Sequence, residues 1–172
     1  PDAPSSPASA PAPVDAGSGS APGSGRPVVS IAVAMLDEER HIEACLRSFA
    51  RQTYQSELLD VMVIDGGSTD RSREIVSEFA AEHPWVRLLD NPRRAAPFAW
   101  NIGLAAARGE VFGIFSSHGV PAGDFVERSV AAVSRMRHDP VINAGLRHAP
   151  EMTLRYISER LGPGQIALIK LL

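Results

Sequence analysis

From residue 28 onward the chain alternates two patterns. Short apolar runs are separated by longer stretches in which apolar residues return every three or four positions. The runs are 28–35 (VVSIAVAM), 60–65 (DVMVID), 85–89 and 111–115. Their length and β-branched content predict strands, the first two buried on both faces. Residues 38–51 place Ile42, Cys45, Leu46 and Phe49 at helical spacing, and the helix after 60–65 carries Ile75, Val76 and Phe79 on one face. Residues 96–108 are alanine-rich and helical, with Gly109 as a stop, and 121–136 turn Phe125, Val126, Val130 and Val133 inward. Strand and helix therefore alternate as βαβαβαβα. That order predicts a parallel sheet covered on both sides and joined by right-handed crossovers. No internal repeat interrupts it. Residues 152–157 read as a further strand and 165–172 as an apolar terminal segment.

The first 26 residues stand outside this pattern. Pro, Ala, Ser and Gly make up all of them except Asp2, Val14, Asp15 and Arg26. Such a stretch has almost no apolar surface to set against its ordering entropy, and it reads as a disordered tail. The expected organisation is a tail over 1–26, a folded domain over 27–140 and an incomplete C-terminal remnant over 141–172. With 44% apolar and 22% charged residues, composition is that of a soluble globular protein. Seventeen basic against 20 acidic side chains leave a net charge of −3, which argues against a nucleic-acid partner. Cys45 is the single cysteine, so neither an internal disulfide nor a multi-cysteine zinc site can form. No apolar run reaches the roughly 18 residues of a membrane-spanning helix. The chain starts at Pro1 with no basic-then-apolar leader, so no signal peptide is expected, and it reads as a processed or partial chain.

Ligands of an open parallel sheet collect beyond the carboxyl ends of its strands. The residues that fall there form a polar rim. They are Leu36, Asp37, Glu38 and Glu39; then Asp65 to Asp70 (DGGSTD); then Asp90, Asn91, Pro92, Arg93 and Arg94; then Ser116, Ser117, His118 and Gly119. A nucleotide suits this inventory, because carboxylates accept from a base or ribose and arginines face phosphate. The turn after the first strand lacks G-x-G-x-x-G, which weakens a nucleotide-dependent oxidoreductase. The P-loop and the G-x-S-x-G elbow are absent as well. Each rim residue also has a plain structural use. Asp65 can end a strand in a turn, and Ser68, Thr69 or Asp70 can cap the helix that follows. Glu38 and Glu39 suit a first helical turn. Arg93 and Arg94 can be a solvated pair, and Asn101 a buried pin on its helix.

Three blocks carry a resemblance. VSIAVAMLDEERHIEACLRSFARQTY, VIDGGSTDRSREIV and NPRRAAPFAWNIGLAAARGEVFGIFSSHG, in this order, resemble family 2 glycosyltransferases, nearest to the exopolysaccharide (succinoglycan-type) branch. The match spans about residues 28–135, the nucleotide-sugar-binding half. The resemblance implies an α/β fold of GT-A type: a Rossmann-like, mostly parallel sheet with helices on both faces, here truncated. It implies transfer of a sugar from a nucleotide-diphosphate donor to a saccharide or lipid-linked acceptor in polysaccharide biosynthesis. The setting it implies is cytoplasmic, with peripheral association at the inner membrane face. By the same resemblance Asp65 faces the nucleobase, Leu36 and Glu38 line base and ribose, and Ser68 and Asn101 lie near the donor. Ser116, Ser117 and His118 stand where the family has a D-x-D-type motif, whose carboxylates hold Mn2+ or Mg2+ on the diphosphate.

The chain departs from that pattern at several points. Asp37 replaces a usual Asn and Ala34 a usual Pro. Ser-Ser-His replaces Asp-x-Asp, and serine hydroxyls are weak Mg2+ ligands. His118 is then the metal ligand, better suited to Mn2+, and Arg93 and Arg94 share the neutralisation of the diphosphate. No Glu-Asp pair follows His118, and Asp124, Glu127, Asp139, Glu151 and Glu159 match no family motif, so no general base is assigned. The alternative is a catalytically degenerate module that binds a nucleotide or a partner.

Overall fold

The computed structural model describes residues 25–137, with side chains to 135, and the backbone of 166–168. Most of the expected tail, the 152–157 strand and most of the 165–172 segment lie outside the described residues. Arg26 already makes folded contacts: its guanidinium pairs with Glu127 at 2.5 Å and lies over the Tyr54 ring.

The strands are β1 (Val29–Met35), β2 (Leu59–Asp65), β3 (Val86–Asp90), β4 (Val111–Ser116) and β5 (Ile166–Leu168). The helices are α1 (Ile42–Ala50), α2 (Ser72–Glu82), α3 (Ala96–Ala106) and α4 (Phe125–Arg137). Sheet order is β3-β2-β1-β4-β5. The first four strands are parallel, and β5 runs antiparallel to β4. The chain winds outward from β1 to β3, then returns to the other side of β1. β1 and β4 therefore flank a topological switch point, where a crevice opens at their carboxyl ends.

Side-chain alternation sorts the core into two layers. Ile31, Val33, Met35, Val61 and Val63 pack against Ile42, Leu46, Phe49, Val76, Val126 and Val133, from α1, α2 and α4. Ala32, Met62, Ile64 and Phe112 face Ala99 of α3 on the other side. Cys45 belongs to the first layer; burial, helped by Glu38, pushes its thiol up to about 12.

The α3 layer is tight. A Cβ on Gly103 would stand 2.6 Å from the Ala32 Cβ and 3.0 Å from Ile64 Cδ1. We expect Gly103→Ala to push α3 off the sheet and cost about 1–3 kcal/mol, the range for overpacking. Urea unfolding of the two proteins measures the difference, and equal midpoints would contradict it.

At the amino ends of the strands lies a buried polar knot. Arg87 of β3 donates through Nε to Asp60 Oδ1 at 2.8 Å and through a terminal nitrogen to Oδ2 at 3.0 Å. Ser30 donates to Asp60 Oδ2 at 2.7 Å and accepts from the Arg108 and Gly109 amides. The same Arg87 reaches the Ala106 carbonyl at 2.9 Å, tying the end of α3 to three strands.

Three helices begin later than periodicity predicts, among them α4, which starts at Phe125 rather than 121. α1 starts at Ile42 rather than 38, because the Glu38 carbonyl first accepts from the His41 and Ile42 amides in a turn. α2 starts at Ser72, because residues 68–70 are held by a neighbouring loop.

Candidate functional site

A pocket of about 500 Å3 opens at the switch point. β1 and its following turn supply Met35, Leu36 and Glu38, and the end of β4 supplies Ser116, Ser117 and His118. Asn91 and Arg94 come from the β3–α3 turn, and Ala96, Ala99 and Trp100 from α3. Ile64 and Ile114 form an apolar wall. A second hollow, about 710 Å3, lies at the opposite end of the strands beside Asp60 and Trp85. It holds none of the rim residues, and the strand carboxyl ends are where this sheet type binds ligands.

The turns after β1 and β2 are fastened to each other. The Asp37 amide donates to Ser68 Oγ at 2.9 Å, and the Thr69 amide donates back to Asp37 Oδ1 at 2.7 Å. The Glu38 amide donates to Ser72 Oγ at 2.7 Å and the Glu39 amide to Asp70 Oδ2 at 3.0 Å. The Arg71 amide donates to Glu39 Oε2 at 3.1 Å. Asp37 sits at φ 52°, in the left-handed region that Asn and Asp tolerate best among side-chain-bearing residues. Asp70 Oδ1 accepts from the Ser72 amide, so Asp70 does serve the start of α2.

Asp65 ends β2 below this clasp. Its side chain is 0% exposed and does not line the pocket. Oδ1 takes the Ser68 hydroxyl at 2.5 Å and the Ser68 amide at 3.0 Å. Oδ2 takes the Gly67 amide at 3.1 Å and Arg73 at 2.7 Å. Burial pushes this carboxyl up, but the bonds from Ser68, Arg73 and Gly67 outweigh it and hold it below the usual 3.8. Arg73 bridges on to Asp90 at 2.8 Å. Ser68 is spent the same way, its hydroxyl donating to Asp65 while accepting from Asp37.

The two arginines part company. Arg94, at φ 62°, donates through Nε to the Gly66 carbonyl at 3.0 Å and through a terminal nitrogen to the Gly67 carbonyl at 3.2 Å, on the pocket wall. Gly66 permits the approach: a Cβ there would stand 3.1 Å from the Arg94 carbonyl oxygen. Arg93 turns away and lies over the Phe98 ring, 4.6 Å from its centroid. Asn101 is exposed on α3 and does not line the pocket. One position earlier, Trp100 does.

Across the pocket, the Glu38 carboxylate lies between two imidazoles, 3.0 Å from His41 Nδ1 and 3.5 Å from His118 Nδ1. Ser116 Oγ is 3.0 Å from His118 Nε2, and Ser117 is buried. Among the described residues no group of three or more His, Cys, Asp and Glu side chains is placed to hold a metal ion. Asp124 and Glu127 lie at α4, away from the pocket, and Asp139, Glu151 and Glu159 lie outside the described residues. No helix among the described residues is long and apolar enough to cross a membrane.

Sequence reasoning placed Asn91 on the rim but gave it no role, and it missed Arg73 and Trp100. Trp100 had a signal: it adjoins Ala99, which with Gly103 faces the sheet. Asn91 had one in the turn before Pro92, where its side chain accepts from the Arg93 amide and donates to the Ala95 carbonyl. Arg73 had none, since only the fold brings it back onto Asp65.

Comparison with known proteins gives this geometry its context. The succinoglycan biosynthesis protein ExoA of Rhizobium meliloti is 34% identical over 116 residues, which are 66% of this chain and 35% of that protein. A dolichyl N-acetyl-alpha-D-glucosaminyl phosphate 3-beta-D-2,3-diacetamido-2,3-dideoxy-beta-D-glucuronosyltransferase of Methanococcus voltae is 28% identical over 120 residues, 69% of this chain and 37% of that one. Among solved structures, the mannosyltransferase PcManGT of Pyrobaculum calidifontis, in complex with GDP-Man and Mn2+, superposes with TM-score 0.58. It is 31% identical, over 67% of this chain and 33% of that one. The chain thus spans about a third of the length of the proteins it matches. The fold is that of the GT-A glycosyltransferases, in partial form, and residues 30–166 match the family model described as Glycosyl transferase family 2. A parallel sheet with its pocket at the switch point, and a family match running the length of that sheet, lead to one conclusion: the chain belongs to glycosyltransferase family 2.

Proposed function

We propose that this chain is the donor half of a glycosyltransferase. It binds a nucleotide-diphosphate sugar between the ends of β1 and β4 and presents the sugar to a saccharide or lipid-linked acceptor in polysaccharide biosynthesis. The setting is cytoplasmic, at the inner membrane face where the acceptor is lipid-linked. One observation supports this best: in a family 2 chain, the switch-point pocket gathers Leu36, Glu38, Arg94, Ser116, Ser117 and His118.

The pocket divides by chemistry. Arg94, pinned by two carbonyls beside Leu36, offers donors toward the base and ribose. Trp100, Ile64 and Ile114 give an apolar wall. Ser116, Ser117 and His118 face the diphosphate end. Asp65 and Ser68 act on the nucleotide only through the shape of the loop they hold, since their polar atoms are spent within it. Arg93 and Asn101 contribute no side chain to the pocket wall.

The donor set at the diphosphate end fits a divalent cation as half a site. One imidazole and a neighbouring carboxylate are present, with neutral hydroxyls beside them, and phosphate oxygens must complete the shell. Mn2+ suits that mixture better than Mg2+, because it accepts imidazole. When bound, such a cation stabilises the charge that builds on the leaving diphosphate.

Thermal unfolding with UDP, GDP and dTDP, each with and without Mn2+, tests the proposal. A ligand at about 100 times its dissociation constant adds roughly 2.7 kcal/mol. For a chain of this size that raises Tm by roughly 5–10 °C. We expect a shift of that order with at least one nucleotide. No shift with any of them would overturn the donor-site reading. It would leave the second reading, a module that binds a protein partner, which Ser-Ser-His at the end of β4 favours.

A further inference from the structure

We propose that the hollow at the amino ends of the strands is a second binding site, which takes part of a saccharide chain and is separate from the nucleotide pocket. The choice of ligand rests on the transferase reading above; the shape and lining of the hollow do not.

Three observations carry it. First, there is room: the hollow holds about 710 Å3, against about 500 Å3 for the switch-point pocket. Second, it presents an aromatic ring held in position. Trp85 lines the hollow and is only partly buried against the core. Phe79 and His83 meet its ring edge-on, with centroids 6.1 Å and 5.4 Å away, and His83 lies flat on Phe79 at 4.0 Å. His83 Nδ1 donates to the Phe79 carbonyl at 2.9 Å, which fixes the imidazole and leaves Nε2 as an acceptor. Third, the charged groups around the ring are not spent on the fold. Glu57, Glu82 and Arg108 line the same hollow and are exposed. Among the described residues neither carboxylate forms an ion pair, and the Arg108 guanidinium forms none. Asp60 beside them is already engaged by Arg87 and Ser30.

This combination selects by chemistry. A sugar ring has an apolar face of C–H bonds and an edge of hydroxyls. The face covers an aromatic ring and removes apolar surface from water. Neighbouring hydroxyls donate to a carboxylate or accept from a guanidinium in charge-assisted bonds. A phosphate-bearing ligand suits the hollow badly, because two uncommitted carboxylates face one uncommitted cation. A wholly apolar ligand would desolvate all three charges without pairing them. Position then sets the role. Asp60 lines the hollow and Ile64 the nucleotide pocket, four residues apart on β2, or roughly 13 Å. One sugar cannot occupy both, so the hollow holds sugars removed from the reacting end of a chain.

The chain has two tryptophans, one in each site, so fluorine NMR of the full chain labelled with fluorotryptophan reads both at once. Trp85→Phe and Trp100→Phe assign the two resonances. The probes are cellohexaose, maltohexaose, laminarihexaose and chitohexaose, with UDP, GDP and dTDP for the nucleotide pocket and spermidine as a cationic control. We expect at least one hexaose to shift the Trp85 resonance saturably while that of Trp100 stays in place. Glu57→Ala combined with Glu82→Ala weakens that saccharide by about tenfold, the scale of one charge-assisted hydrogen bond. Both positions are exposed, and an unliganded Tm within a degree or two of wild type shows that the variant folds. No shift of Trp85 with any hexaose overturns the site. A shift that appears equally at Trp100, or that keeps its full affinity in the double variant, overturns its assignment to this hollow. A stronger response to spermidine than to every hexaose overturns the saccharide and makes the hollow a cation site. The nucleotide reading is scored on the other resonance: if no nucleotide moves Trp100, that reading falls whatever Trp85 does.

Discussion

Replacing Arg87 with Met destabilises the fold by about 3–5 kcal/mol, the cost of stranding a buried charge. Arg87 and Asp60 are 20% and 6% exposed in their side chains, so solvent replaces little of the lost pairing. The variant keeps a side chain of similar length and leaves Asp60 with only the Ser30 hydroxyl and the Arg108 amide. The loss should depend on pH. Burial pushes the Asp60 carboxyl up, but bonds from Arg87, Ser30 and Arg108 more than compensate, and it lies below its usual 3.8. A carboxyl lowered in the folded state contributes stability that is present above the unfolded value and lost as pH falls through the folded one. The gap between wild type and Arg87→Met should therefore be widest at pH 6–7, and should narrow as pH falls through and below 3.8. Adding Asp60→Asn to Arg87→Met removes the stranded charge and should recover a good part of the loss. Urea denaturation at several pH values measures all of this. A single-variant loss under about 1 kcal/mol, in the range of an exposed pair, would show the knot to be solvated.

The second large effect lies at the other end of the same strand. Asp65→Ala should cost about 2–4 kcal/mol, since hydrogen bonds to a charged group are worth about 1.5–3 each and are not additive. It strips partners from the Gly67 and Ser68 amides, the Ser68 hydroxyl and Arg73. Arg73 retains Asp90, which limits the damage. The released loop carries the Gly66 and Gly67 carbonyls that hold Arg94, so nucleotide affinity should fall by tenfold or more alongside stability. The sign of the acid dependence is that of Asp60, because Asp65 is also lowered. Tm and nucleotide titration on one preparation check both effects. A variant of unchanged Tm would mean that the carboxylate does not organise the loop.

The strands were legible because four apolar, β-branched runs can be little else, and the inward faces of α1, α2 and α4 because helical spacing is local information. Ile42, Cys45, Leu46 and Phe49 all lie in the core as periodicity required. Strand order was not legible, since nothing in the β1 sequence tells it to lie between β2 and β4. Helix starts were misplaced where polar residues serve another loop rather than their own helix. Ser68 and Asp37 are the case in point: each has the chemistry of a local cap, and each is used across 31 or 32 positions of sequence. The site shows the same division. The residues around it follow from the rule that ligands gather at strand carboxyl ends. Which of them point inward does not, because Trp100 and Asn101 differ only by one step around α3, and Arg93 and Arg94 by one backbone rotation.

The lone cysteine has a practical meaning. Cys45 is fully buried between the sheet and α1, with its Sγ 3.7 Å from the Ser116 carbonyl oxygen and its thiol held to about 12. At neutral pH it is therefore both shielded and protonated, and the thiolate that reacts with alkylating or oxidising agents is almost absent. The folded protein carries one thiol that stays silent to such agents and answers them only when the layer beneath the pocket comes apart. It is a built-in clock for the opening of the core, set into the chain at a single address.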